Sequence, residues 1–287
     1  MNWLTEPFSM GFMQRASIAS LIVGVVCAVI GCYIVLRSMA FLGDALAHAI
    51  LPGVAVAYLV GGNLMIGALI AGVVVALGIS FVTRTGAVRE DTAIGIFFAA
   101  ALALGVVLIS TMDTYAVDLA HVLFGNVLGV TTGDLWLGGV LAAVILGAIA
   151  LLYRRLLVMS FDPILGRTLG LRTNALRTGL FVMIAVTIVV SLRTVGVALV
   201  AAMLVTPPAA AYLLTRRLPA MMAVSAGIGI VSAVGGLYAS YYLDVAPSGA
   251  MVLVATVIFV LVFLFAPRRG LVTRRRRRVV GSGSAVD

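Results

Sequence analysis

The chain has 287 residues, is 63% hydrophobic and 10% charged, and has a mean hydropathy of +1.23, a composition outside the range of soluble domains of this size. Its net charge of +9 is carried by arginine alone, since the sequence contains no lysine. In so apolar a chain that charge reads as membrane topology and contact with anionic lipid, not as nucleic-acid binding.

A bilayer core takes roughly 20 apolar residues per helix, and only helices or closed barrels satisfy their backbone hydrogen bonds in lipid. The apolar runs are continuous, not alternating, so an all-α polytopic protein is expected. Runs at roughly 16–36, 45–60, 64–83, 92–110, 135–153, 178–192, 194–215, 218–243 and 248–266 give about 8–9 transmembrane helices. The lower figure applies if one segment is re-entrant. The polar N-terminal segment leads into a full-length apolar stretch with no short cleavable core, so no signal peptide is expected. Cys27 and Cys32, inside the first run, share no helix face well and read as buried small apolar residues.

The second run opens with FLGDALAHAILPG, residues 41–53. Asp44 and His48 stand at i and i+4 and share one helix face. Ionisable groups at membrane depth are costly and mark functional hypotheses. A hard oxygen beside an imidazole nitrogen suits a divalent transition metal, and the absence of soft ligands argues against copper(I). The spacing leaves two other readings open. Asp44 could cap a helix beginning at Ala45, and His48 could bond a carbonyl on a neighbouring helix. Two ligands do not complete a site in any case. Pro52 and Gly53 follow and should perturb this helix, either as a break of the kind that lines transporter cavities or as a simple kink between packed helices. Pro207 and Pro208 predict a second kink or break near the middle of the seventh run.

Residues 61–63, GGN, read as a tight turn. The segment 111–134 holds Asp113, Asp118 and His121, candidates for an entry vestibule, although loop charges are ordinarily just solvated. Residues 154–177 read as the longest internal loop. In it, Asp162 followed by Pro163 predicts an N-cap and a short surface helix near 162–176, carrying Arg167. The glycines within apolar runs, among them Gly227, Gly229, Gly235 and Gly236, read as packing faces. Five consecutive arginines, 274–278, precede a Gly/Ser tail. We read 1–267 as a single transmembrane domain and 268–287 as a basic, disordered cytoplasmic tail. With the N-terminus outside and the C-terminus inside, Arg15 and Arg193 alone of the 19 arginines fall outside, as the positive-inside rule favours. Nothing supports an enzyme: there is no phosphate-binding loop, no HExxH and no nucleophile with a base. ATP hydrolysis, if transport requires it, belongs to a separate chain.

Five collinear blocks carry a family resemblance: FMQRASIASLIVGVVCAVIGCYIVLRSMAFLGDALAHAILPG, DLAHVLFGNVLGV, FDPILGRTLGL, VGVALVAAMLVTPPAAAYLLT and APSGAMVLVATVIFVLVFLFAP. Together they resemble the manganese/zinc/iron-type ABC importer permeases across residues 7 to 267. The resemblance implies a type II importer-like permease in the plasma (inner) membrane, homodimeric and coupled to two cytoplasmic ATPase subunits. An extracytoplasmic metal-binding protein would supply a divalent metal ion, which is transported and not held as a tight cofactor. It further implies that Asp44 and His48 contact metal in the pathway, and that Asp162, Pro163 and the helix after them dock on the ATPase. Many relatives carry an acidic residue after FDP. Here it is Ile164, which weakens a salt-bridge account of docking. Manganese is slightly preferred, with zinc or iron(II) possible. Two alternatives are an ion-coupled secondary transporter or channel, and a permease for a metal chelate or vitamin.

Overall fold

The structure is a computed structural model that describes residues 10–111 and 127–266. Eleven α-helices follow one another in the described residues. They are α1 (Gly11–Leu36), α2 (Leu42–Ala49), α3 (Leu51–Leu59), α4 (Leu64–Val82), α5 (Glu90–Ser110) and α6 (Thr132–Phe161). They continue as α7 (Pro163–Thr168), α8 (Thr173–Val195), α9 (Val197–Leu214), α10 (Leu218–Leu243) and α11 (Pro247–Phe265). No β-strand occurs among the described residues. Taking α2 and α3 as one span, nine helical segments among the described residues are long and apolar enough to cross a bilayer. This all-α, multi-pass architecture places the protein in the plasma (inner) membrane.

The helix α1 forms the centre of the bundle. It packs on α9 and α10, and on its other sides against α6 and α8. Small residues set these distances, since lipid gives helices no hydrophobic reason to associate. A Cβ on Gly229 of α10 would lie 2.9 Å from the carbonyl oxygen of Gly24, and one on Gly31 would lie 2.1 Å from that of Leu204 in α9. The α3–α4 crossing is equally close, because a Cβ on Gly53 would meet the Gly67 oxygen at 2.1 Å. The packing reading of the glycines therefore holds for Gly229 and for Gly236, which faces Met251, but Gly227 has open space beside it. Cys27 and Cys32 are buried, free thiols.

Two expectations change in detail. The helix α6 continues through Arg154 and Arg155 to Phe161, so the chain turns later than the apolar run suggested. Charges at a helix rim do not stop it when nothing else breaks the backbone. The surface helix is shorter than 162–176: α7 ends at Thr168, and Gly170, at φ 73°, turns the chain into α8. Leu176 thus belongs to α8 and packs against the core. The GGN turn forms as expected, with Gly61 at φ 65° and Asn63 capping α4 by accepting from the N–H groups of Met65 and Ile66.

Candidate metal-contact pair and coupling helix

The helix α2 begins at Leu42, with Phe41 as its N-cap residue. Asp44 therefore lies within the first turn, where the helix dipole favours a carboxylate, and does not cap a helix starting at Ala45. Leu42, Gly43, Ala45, Leu46, Ala47 and Ala49 are all buried. Asp44 and His48 are the residues of α2 left partly open, with side chains 42% and 30% exposed. Their Oδ1 and Nε2 atoms stand 3.7 Å apart. That is too long for a hydrogen bond, yet two metal–donor bonds of about 2.1 Å can span it. The His48 ring is steadied from the side by Phe98 of α5, at 6.0 Å between centroids, and Phe98 in turn meets Phe41 edge-on at 5.8 Å. Among the described residues, no group of three or more His, Cys, Asp or Glu side chains gathers to hold a metal ion.

The second span is interrupted at Ile50, which ends α2 and precedes α3. Pro52 stands in the first turn of α3, where its missing N–H costs least. That same missing N–H is the one that would otherwise bond the carbonyl of His48. Gly53 sits just beyond, at the close crossing with α4. The second expected break is corrected: α9 runs as one helix through Pro207 and Pro208, both buried. Pro208 cannot donate to the Leu204 carbonyl, and that oxygen instead lies against Gly31 of α1. Packing of this kind lets proline stay inside a membrane helix.

The structure also gathers a charged cluster that sequence reading did not anticipate. Arg37 ends α1, Glu90 opens α5, and Arg177 lies early in α8. Arg37 Nη2 donates to Glu90 Oε1, and Arg177 Nη1 approaches the same oxygen at 3.5 Å. Arg177 also donates to the carbonyls of Thr83 and Ser80, at 3.2 and 3.4 Å, at the end of α4. Arg37 reaches Met159 Sδ of α6 at 3.8 Å. Burial pulls the Arg37 guanidinium below its ordinary pKa, and the Glu90 carboxylate opposes that shift. The available sequence signal was a lone glutamate at the start of an apolar run. Its two partners, 53 and 87 residues away by numbering, carry no local signature.

At the same end of the bundle, Asp162 caps α7, its Oδ1 accepting from the N–H groups of Ile164 and Leu165 at 3.0 and 2.9 Å. Pro163 opens the helix. Arg167 is exposed in its last turn, and Phe161, Ile164, Leu165 and Leu169 present exposed apolar side chains. The vestibule candidates Asp113, Asp118 and His121 lie outside the described residues.

A bundle of apolar spans, the second interrupted at Ile50 beside the Asp44–His48 pair, defines a multi-pass membrane protein. The chain belongs to the ABC 3 transport family, which matches residues 9–266. It is 47% identical over 269 residues to the manganese transport system membrane protein MntC of Halalkalibacterium halodurans, covering 94% of this chain and 92% of that one. It is 37% identical over 268 residues to a Haemophilus influenzae protein named "Probable iron transport system membrane protein", covering 93% and 98%. Among solved structures it is similar to PsaBC from Streptococcus pneumoniae in complex with Fab, with a TM-score of 0.82, 35% identity, and coverage of 96% of this chain and 99% of that one. The metal-ion ABC importer permease resemblance read in the sequence is thereby shown. Members of the family are transport subunits whose ATPase is a separate partner.

Proposed function

We propose that this chain is the permease of an ATP-driven importer of divalent transition metal ions, with manganese as the favoured cargo. One observation carries the reading: Asp44 and His48 stand 3.7 Å apart on the open face of an otherwise buried helix, next to the break in its span. The manganese and iron relatives support the same cargo class. Divalent manganese, iron and zinc all accept this oxygen–nitrogen donor set.

Two donors need completion. Their partial exposure leaves room for a second copy, so a homodimer can bring two such pairs to one ion, with water filling the remainder. A partial ligand set also lets the ion leave, as transport demands. The bundle lies N-out and C-in, which puts the arginine-rich ends of α1, α4, α6 and α8 in the cytoplasm. On that side α7, capped by Asp162 and opened by Pro163, offers its apolar face to a cytoplasmic ABC ATPase, with Arg167 at its edge. An extracytoplasmic metal-binding protein delivers the ion near 111–134, whose Asp113, Asp118 and His121 are the candidate entry residues. Residues 1–267 act as one permease domain, with 268–287 as a basic cytoplasmic tail. ATP-driven movement of α7 then switches access to the Asp44–His48 pair.

The test is reconstitution with the ATPase and the binding protein, comparing uptake of Mn2+, Zn2+ and Fe2+. Uptake should require ATP and fall to background in Asp44→Ala and His48→Ala. Unchanged uptake in both variants would remove the site assignment, and uptake without the ATPase would remove the ABC mechanism.

A further inference from the structure

The helix α5 touches two polar features of the bundle at different heights, the Asp44–His48 pair and the Glu90 cluster. At its first residue, Glu90 accepts from Arg37 and lies 3.5 Å from Arg177. Two helical turns further on, about 12 Å along the axis, Phe98 lies against the His48 ring and against Phe41. Further still, Gly105 meets the start of α3, where a Cβ would stand 2.9 Å from Leu51 Cβ and 3.4 Å from Pro52. The other face of α5 is largely open: Ile96, Leu104, Val106 and Val107 are exposed. The seat of α5 is therefore set by the broken span on one side and by the Glu90 cluster at its end.

That cluster also connects to the helix α7 region. Arg177 lies in the second turn of α8, and α7 rests on the start of the same helix, where a Cβ on Gly166 would stand 3.0 Å from Thr173 Cγ2. A shift of α8 moves Arg177. Arg177 holds both Glu90 and the final carbonyls of α4, so α5 is drawn along. A helix is stiff over two turns, so the displacement reaches Phe98.

We propose that α5 positions the metal-contact pair, with Glu90 as its anchor and Phe98 as the side chain that sets the His48 ring. Both are positioning residues. The inference rests on the reading of Asp44 and His48 as metal contacts, and it adds the route by which the arginine-rich end of the bundle controls them.

The sequence provides a direct probe, because it contains two histidines. The full chain is labelled at histidine and purified in lipid nanodiscs, and His121→Asn assigns the His48 ring resonance by subtraction. Glu90→Gln should move that resonance from two turns away and weaken Mn2+ binding about tenfold, as loss of an outer support does. Glu90→Asp, which keeps the charge, should bring both back toward wild type. Phe98→Leu should move the resonance and weaken Mn2+ to a similar degree. If Glu90→Gln does not yield folded protein, Arg177→Gln, which spares the Arg37 contact, replaces it with the same expectation. A folded Glu90→Gln or Arg177→Gln protein with the His48 resonance and Mn2+ affinity of wild type overturns the proposal. Failure of Mn2+ to broaden the wild-type His48 resonance would instead overturn the metal-contact reading, while the metal-free shift still decides whether Glu90 acts on His48.

Discussion

Asp44 Oδ1 and His48 Nε2 face each other across 3.7 Å on the open side of α2, one helical turn apart and immediately before the break at Ile50. Neither side chain fills the core, since the buried residues of α2 are its apolar ones. Asp44→Ala and His48→Ala should therefore abolish transport while changing thermal stability little. Surface substitutions usually stay within about 0.5 kcal/mol. Thermal unfolding of the purified variants checks the stability half, and proteoliposome uptake the transport half. A large drop in Tm for both would recast the pair as structural.

Gly31 lies beneath the carbonyl that Pro208 leaves without an intrahelical donor. A Cβ there would sit 2.1 Å from the Leu204 oxygen and 2.7 Å from Pro208 Cγ. Backbone cannot yield as a flexible side chain can, so Gly31→Ala must push α1 and α9 apart. We expect about 1–3 kcal/mol of destabilisation, measured by denaturant or thermal unfolding in detergent. Gly227→Ala, with open space at its Cβ, serves as the control and should be tolerated.

Asp162 caps a helix that is otherwise exposed. Asp162→Ala removes the acceptor for two N–H groups and should cost about 1 kcal/mol locally. The effect should be read as weaker co-purification of the ATPase, with global stability nearly intact. Leu165→Glu tests the surface itself, since that side chain is 49% exposed and a buried, unpaired charge opposes docking. Undiminished ATPase binding by Leu165→Glu would move the docking surface elsewhere.

Ser225 of α10 donates to the Ala28 carbonyl of α1 at 3.0 Å, buried between the helices. Such bonds contribute modestly in membranes, so Ser225→Ala should lower stability by about 0.6 kcal/mol. A shift in Tm several times larger would show that α10 is held by this bond more than by its close approach at Gly24 and Gly229.

The nine candidate spans among the described residues fall within the 8–9 read from the sequence, because lipid demands long uninterrupted apolar segments and composition alone satisfies that demand. The Asp44–His48 face was legible because i, i+4 spacing is a local property of any helix. The break before Pro52 was legible too, since a missing N–H acts within four residues. The same local rule misled at Pro207 and Pro208, where α9 remains one helix because α1 presents Gly31 to the freed carbonyl. That compensation lies far away in the chain. The helix after Asp162 was found but placed too long, because Gly170 and its left-handed turn outweighed the continuing apolar pattern.

The sequence by itself determined the class of protein, a count of about 8–9 spans and the one-turn spacing of Asp44 and His48, because each follows from composition or from spacing within one helix. Tertiary structure alone decided which charges meet. Glu90 joins Arg37 and Arg177 from three different helices, and Phe98, one of twelve phenylalanines, is the one set against His48. Those contacts depend on how close glycines allow the helices to approach, and on the interhelical register that results.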